Sequence, residues 1–406
     1  MSSVLLDRSS DANRKHPHMR ASSARADLVL DTAKFMTPAL ERQEIVRKTF
    51  QVRGSALDFG AKHTISMPRE SKNLKANSYR LTLSLTNATG ELSEGWGMRL
   101  LDRVQITVGG ETLAQYRYLP AWMALVENSK VELRDAARSQ CGESHDFAVD
   151  GTTAHAVVPL FFFDKFIQHR FNVHGDGRVT SLPLKLSSDI KFEITFNPLA
   201  KIGDVALVGT TVSGMELEYN QIGGLGNIDF AANWSGYLPY VFTEEYDDTD
   251  RYDINGAGLK SIRVTDIDGP VEYANVATIS QASLADNFVG PVVQTEVDAF
   301  QMFINSKAVF DAFENHQRIH AWQATFGDYV GRAGAPTPLR LPIGRGTYID
   351  DLIVVNEHAI LIGAGDDIQM NMTLRGGVPS TIVIATIKQA HYSVTASGNL
   401  NRTFEL

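Results

Sequence analysis

The sequence predicts an all-β protein of two domains, with a few helices set in its loops. Three features carry this: a hydrophobic period of 2 that recurs from Phe50 onward, a length of 406 residues, and a strand-sized segment that occurs twice. The length exceeds the usual single-domain range, and two units of about 200 residues could each bury a core. Hydrophobic residues make up 43% and charged residues 21%, ordinary globular usage that argues against a disordered chain or a coiled coil.

The chain opens on Met1 to Ala26, rich in Ser, Arg and His and poor in apolar residues. Such a segment reads as a mobile arm. It holds Arg8, Arg14, Lys15, Arg20 and Arg25 against Asp7 and Asp11, a local +3 within a net −9; the remaining 33 basic and 45 acidic residues leave the body at −12. A body of that sign is no polyanion binder, so sequence-specific nucleic-acid recognition is not expected. Leu28, Leu30, Phe35 and Met36 then surround Asp31 and Lys34, and Pro38 precedes Ala39 to Lys48, which predicts one or two short helices.

Beyond Phe50 the strands begin. Leu81, Leu83 and Leu85 interleave with Thr82, Ser84 and Thr86, and Val104, Ile106 and Val108 with Gln105 and Thr107. Gly109-Gly110 offers the positive φ of a tight hairpin before Thr112 and Leu113 resume. Further strands are predicted at Ile190 to Phe196, Met215 to Tyr219, Ser261 to Ile267, Ile368 to Leu374 and Thr381 to Ile387. Helical spacing appears at Ala121 to Asn128, after Pro120, and at Lys307 to Trp322.

Asp189 to Phe196 (DIKFEITF) matches Asp367 to Leu374 (DIQMNMTL) in Asp, Ile, Thr and the apolar pattern, which suggests a duplication. A second echo pairs Leu101, Val104, Ile106 and Thr107 with Leu259, Ile262, Val264 and Thr265. Between the halves, Gly223-Gly224-Leu225-Gly226 suits a linker. The expected division is an arm over residues 1–48, a first domain over 49–222, a linker over 223–236 and a second domain over 237–406.

Three segments of the first half carry a family likeness. They are Val104 to Leu113 with the Trp122 helix behind it, Val158-Pro159-Leu160-Phe161-Phe162-Phe163, and Ser181-Leu182-Pro183-Leu184 leading into Ile190 to Phe196. In that order and spacing they resemble the double-jelly-roll major capsid proteins of large eukaryotic DNA viruses and of tailless, membrane-containing phages. The likeness covers residues 80–220 by motif and the second half by pattern. It implies two tandem jelly-roll β-barrels and a structural, non-enzymatic protein of an icosahedral virion, assembled in the host cytoplasm. It further implies a homotrimer of pseudo-hexagonal outline, capsomer–capsomer contacts, and minor capsid and penton partners. In such a shell the arm is placed on the inner side, where Arg14, Lys15, Arg20 and Arg25 could meet an internal membrane. Leu28, Leu30 and Phe35 would dock at that membrane or on a neighbouring subunit.

Signals of other chemistry are weak. Gly54 to Lys62 misses the phosphate-loop spacing, and Gly363-Ala364-Gly365 has Ile368 in place of a third glycine. No Gly-x-Ser-x-Gly and no His-Glu-x-x-His occurs. His316 and His320 lack an evident third ligand, so no metal and no cofactor is expected. The acidic run Glu244, Glu245, Asp247, Asp248, Asp250 and Asp253 misses the EF-hand pattern and reads as a solvated loop, with a bound cation the alternative. The one cysteine, Cys141, and the absence of an apolar run at Met1 point to folding in a reducing cytoplasm; no apolar run reaches the roughly 20 residues of a bilayer span. Two rival readings stand beside the capsid. One is a carbohydrate-binding or carbohydrate-cleaving β-sandwich using Trp96, Trp122, Trp234 and Trp322 as stacking platforms; the other is a phage tail or receptor-binding protein.

Overall fold

The computed structural model describes residues 43–51, 57–69, 73–75, 79–125, 138–160, 181–183, 189–202, 207–224, 235–246, 256–264, 269–284, 297–310, 339–342, 348–349, 352–353, 360–362, 365–375, 379–395, 397 and 399–403.

Apolar and polar residues alternate along most of these segments, and the segments are strands. The first half gives β1 (Gln43–Gln51), β2 (Lys62–Ser66), β3 (Asn73–Lys75), β4 (Arg80–Thr86), β5 (Glu91–Leu92), β6 (Leu101–Val108), β7 (Glu111–Arg117), β8 (His145–Asp146), β9 (Thr153–Pro159), β10 (Ser181–Pro183), β11 (Ile190–Phe196) and β12 (Thr211–Gly224). The second gives β13 (Ser235–Tyr246), β14 (Gly258–Val264), β15 (Gly269–Ser280), β16 (Val297–Ile304), β17 (Lys307–Phe310), β18 (Leu339–Pro342), β19 (Tyr348–Ile349), β20 (Leu352–Ile353), β21 (Ile360–Ile362), β22 (Ile368–Leu374), β23 (Ser380–Val394) and β24 (Leu400–Thr403). Short helices α1 (Trp96–Leu100), α2 (Tyr118–Leu125) and α3 (Gln281–Leu284) lie in the connections.

The pairing repeats from one half to the other. In the first, β1-β12-β4-β9 form one antiparallel sheet, which β3 and β10 continue past the start of β4, and β2-β11-β6-β7 form its partner. In the second, β13-β23-β15-β18 and β14-β22-β16-β17 follow the same order, with β21 beside β18 on β15. Read along the chain, eight strands of each half occupy corresponding places. Each half is an eight-stranded jelly roll of two facing four-stranded sheets.

The duplicated segment sits at the centre of this repeat. β11 lies between β2 and β6, β22 lies between β14 and β16, and both strands alternate in burial residue for residue. Phe192, Ile194 and Phe196 fill the first core, and Met370, Met372 and Leu374 fill the second, all at most 1% exposed. The aspartate heading each copy holds an arginine from the neighbouring strand or the segment just after it: Asp189 with Arg69, three residues past β2, at 2.8 Å, and Asp367 with Arg263 of β14 at 2.7 Å. The second sequence echo has no structural counterpart. β6 corresponds to β16, and β14 to β2, so the likeness of Leu101–Thr107 to Leu259–Thr265 is a coincidence between amphipathic strands.

Two helical expectations are corrected. Within Ala39 to Lys48, residues from Gln43 onward form β1, paired over its whole length with Glu216 to Gly224. Ile45, Val46, Thr49 and Phe50 are β-formers, and a long partner strand outweighs the helical reading of Pro38. Lys307 to Phe310, taken as the start of a helix, is β17, held against β16. The predicted helix near Leu28 to Met36 and the remainder of Lys307 to Trp322 lie outside the described residues. α2 begins at Tyr118 and takes Pro120 into its first turn, where a missing N–H costs nothing. Gly223 and Gly224, read as linker, end β12 opposite Glu44 and Gln43, and β13 begins at Ser235.

The two halves also share their tightest turn. Gly109 (φ 61°) and Gly110 (φ 88°) join β6 to β7, and Asn305 (φ 50°) and Ser306 (φ 63°) join β16 to β17. In both hairpins the register shifts at the same distance from the turn, between Ile106 and Thr107 and between Met302 and Phe303. Asn305 suits its left-handed position, since its side chain accepts from the Asp367 N–H at 3.0 Å and donates to Asp366 at 2.8 Å. Ser306 carries the steric penalty of a side chain at positive φ with no such tie among the described residues. Ser306→Gly is therefore expected to stabilise the protein by about 0.5–1 kcal/mol, what remains of a left-handed penalty after glycine's extra unfolded-state entropy. Urea unfolding checks it; a lower midpoint would show that the turn is unstrained.

Candidate functional site

Two barrels in one chain act as one unit only if they are held in a fixed relation, so the joint between them is the candidate site. It starts at the end of β7, where Tyr116 and Tyr118 lead directly into α2. Tyr118 sits between Tyr116 and Trp122 in tilted ring contacts, with centroids 6.3 and 6.4 Å away, and all three rings are buried. The Tyr118 hydroxyl donates to the Pro159 carbonyl at 2.7 Å. Burial, with smaller contributions from Cys141 and Tyr116, pushes its pKa well up, so the phenol keeps the proton it donates.

From this aromatic base α2 packs against β13, β15 and β23 of the second barrel. Ile279 and Val383, residues of that barrel, belong to the first barrel's apolar cluster, and Leu400 of the C-terminal β24 packs on the same cluster. Beside this contact, β7 and β13 form a parallel pair at Gln115 and Phe242, so one sheet of the first barrel runs on into one sheet of the second. Mixed apolar packing and a shared sheet make the joint stiff.

The barrel ends differ. β1 starts at Gln43 opposite Gly224, beyond the end of β12 that pairs with Arg80, so β1 begins at the end that carries the two-residue turns at Gly109 and Asn305. β7 and β17 run from these turns to the opposite end. There Asn87 ties loops together: its N–H donates to the Thr152 carbonyl at 3.1 Å and its amide to the Thr210 hydroxyl at 2.8 Å.

The residues singled out from sequence distribute as follows. Arg14, Lys15, Arg20, Arg25, Leu28, Leu30 and Phe35 lie outside the described residues, as do His316, His320, Trp234, Trp322 and Asp247 to Asp253; Glu244 and Glu245 lie in β13. Trp96 and Trp122 are at most 1% exposed, so neither can stack on a sugar. Cys141 is buried, which pushes its thiol pKa up and disfavours the reactive thiolate. Among the described residues no three His, Cys, Asp or Glu side chains converge as metal ligands would. One pair escaped the sequence reading: Ser84 and His155, cross-strand neighbours on β4 and β9, share a 2.9 Å hydrogen bond. It lies on the outer face of a sheet, where nothing among the described residues encloses a substrate, and no local motif could have flagged residues 71 positions apart.

No family model matches the sequence, and no curated protein matches it. Solved structures do. The chain is similar to the capsid protein of the PBCV-1 virus capsid at 11% identity and TM-score 0.61, over 90% of this chain and 98% of that one. It is similar to the Faustovirus major capsid protein at 9% identity and TM-score 0.59, again over 90% and 98%. The mavirus major capsid protein aligns at 11% identity and TM-score 0.51, over 89% and 90%. The repeated eight-strand topology is thus a double jelly roll. In particular it is the double jelly roll found in viral major capsid proteins, as the motifs of the first half implied.

Proposed function

We propose that this chain is the major capsid protein of a tailless icosahedral virus, a structural subunit without catalytic activity that forms trimeric, pseudo-hexameric capsomers. The observation that carries the reading is the exact topological repeat of two jelly rolls joined by a buried, sheet-continuous joint. Two similar barrels per chain and three chains per capsomer present six similar edges, the outline that tiles a closed shell. The similarity to capsid proteins over nearly the whole chain supports it. Loss of Trp96 and Trp122 as exposed platforms counts against the carbohydrate-binding alternative.

In this reading the end with the two-residue turns faces inward, and the arm of residues 1–42 extends from it. Arg14, Lys15, Arg20 and Arg25 meet an anionic lipid surface at about 1 kcal/mol per basic residue, while Leu28, Leu30 and Phe35 insert there or dock on a neighbour. The longer connections at the other end face outward. Minor capsid and penton proteins complete the shell at sites the capsomer lattice leaves open.

Sedimentation of the purified chain at micromolar concentration tests the assembly. A stable trimer is expected, burying well above ~2,000 Å² at its subunit contacts because capsomers persist without covalent links. A monomer at that concentration, or a monomer that cleaves a glycan, would overturn the reading.

A further inference from the structure

We propose that the loop end of the first barrel is a docking surface for a different, basic protein, which covers Val149 and Val208 with an apolar centre and meets the surrounding carboxylates with lysines and arginines. The inference goes beyond the capsomer reading and does not depend on it, since every residue it uses lies on one barrel of one chain.

Three strands end in register at this place. Thr86, the last residue of β4, lies between Thr153, the first of β9, and Thr211, the first of β12. The turns that precede β9 and β12 therefore arrive on strands about 10 Å apart, two strand spacings, with Asn87 bonded to both at Thr152 and Thr210. Each turn carries a valine. Val149 is 78% and Val208 83% exposed, and with Leu259 they are the large apolar side chains left in water among the described residues. One exposed valine is ordinary. Two on adjoining turns tied to one asparagine, with polar groups around them, have the make-up of a contact patch.

Both turns are built before anything docks. The Asp146 carbonyl accepts from the N–H groups of Val149 at 3.0 Å and Asp150 at 2.7 Å, and its carboxylate accepts from the Ala148 N–H at 2.9 Å. The Asp150 carboxylate accepts in return from the Asp146 N–H at 2.9 Å, and the His145 ring donates to the Gly151 carbonyl at 2.8 Å. Beneath them Leu92 and Phe147, at most 2% exposed, root the β5–β8 pair in the first core. In the other turn Thr210 donates to the Leu207 carbonyl from its N–H at 3.0 Å and its hydroxyl at 2.7 Å, across Gly209 at φ 95°. Tips held in this way lose little freedom on docking, so little of the apolar contact is offset by ordering of the loops.

Charge decides what docks. Residues 86–98 and 141–155, which supply the β5–β8 pair and its turn, contain Glu91, Glu94, Glu143, Asp146 and Asp150 and no lysine or arginine. The connection 197–210 adds Lys201 and Asp204, which cancel. Glu91, Glu94, Glu143 and Asp150 are exposed, and among the described residues none of the five carboxylates is in an ion pair. Such a surface repels an anionic lipid, a nucleic acid or an acidic glycan. A second copy of this chain is a poor complement as well, because beyond residue 26 it carries 33 basic against 45 acidic residues. A basic protein surface with an apolar centre fits both features: the valines supply contact area, and the carboxylates set approach and orientation.

The probe is a displayed library of random 12-residue peptides, panned on the full-length chain and counter-selected on a variant combining Val149→Ser with Val208→Ser. Both valines are exposed, so the variant should melt as the wild type does. The selection fixes dependence on the valines but not the charge of the peptides, and charge is the readout. Peptides that survive are expected to be enriched in lysine and arginine around apolar residues. Synthesised free, they should bind the wild type at least tenfold more tightly than the valine variant. Binding should also weaken at least threefold when Glu91→Gln and Glu143→Gln are combined, and should fall as salt is raised from about 0.1 to 1 M, where the screening length shrinks from about 10 to 3 Å. Failure to recover any peptide that distinguishes the wild type from the valine variant would overturn the proposal, as would survivors that are acidic or indifferent to salt. Tighter binding by a synthetic peptide of residues 1–42 than by any selected peptide would assign the surface to the chain's own arm and overturn its assignment to a different protein.

Discussion

A chain truncated before Val52 is expected to lose its first barrel, whereas one truncated before Asp27 keeps its fold and its oligomeric state. The two cuts fall on opposite sides of a structural divide. Residues 1–26 precede every described strand, but residues 43–51 are β1, paired one to one with Glu216 to Gly224. Removing β1 uncovers one edge of β12 along nine positions, and β12 carries Met215, Leu217 and Tyr219 into the first core. Cross-strand pairs contribute roughly 0.2–1 kcal/mol each, and the lost cover over the core adds to that. The total is on the order of the whole 5–15 kcal/mol that holds a domain folded. Insoluble expression or a lost cooperative thermal transition is the expected result for the longer deletion, and a wild-type melt would show that β1 is dispensable. For the deletion of residues 1–26, the proposed trimer is expected at normal stability, with impaired particle assembly or impaired attachment to the proposed membrane; normal yields of lipid-containing particles would remove the arm from the proposed mechanism.

That divide was the part of the fold least legible in the sequence. The sequence places the end of the arm at Lys48 because Pro38 and the residues after it look like a helix start, and nothing local reveals that Gln43 to Gln51 meets a partner 165 to 181 residues away, from Gln51↔Glu216 to Gln43↔Gly224. β17 was missed for a related reason. It is four residues long, its turn is Asn-Ser rather than a glycine pair, and Val309, Phe310 and Phe313 fall at helical spacing. Where glycine signals the turn, as at Gly109-Gly110, the hairpin is legible in the sequence. Long alternating strands were read best, because period 2 maps directly onto one buried face, as in β11 and β22. The false echo between β6 and β14 marks the limit of that signal: alternation tells which face is buried and not which neighbour lies alongside. Of the candidate surfaces, the sequence marked Trp122 and its helix, but the contribution of Ile279, Val383 and Leu400 to the joint depends on tertiary placement alone.

Trp122→Ala is expected to cost about 3–5 kcal/mol, as deletion of a fully buried aromatic does, and to weaken the proposed trimer as well as the fold. The indole is 1% exposed, packs beside Tyr118 and sits on the helix that bears on β13, β15 and β23. A cavity there lies between two barrels rather than within one. The loss should therefore couple to second-barrel residues of the same cluster, of which Val383 is fully buried. In a double-mutant cycle, Trp122→Ala and Val383→Ala should show an interaction energy of about 0.5–3 kcal/mol, the range for residues sharing one packed region. Pairing Trp122→Ala with Met370→Ala, which lies in the separate second core, should give additivity to within roughly 0.5 kcal/mol. Denaturant unfolding measures both cycles. If the two cycles are equally additive, Trp122 is a first-barrel core residue and the barrels are held by the β7–β13 pairing alone; if only the first couples, the aromatic helix is what fixes their relation, and the trimer of the single variant should dissociate at higher protein concentration than the wild type.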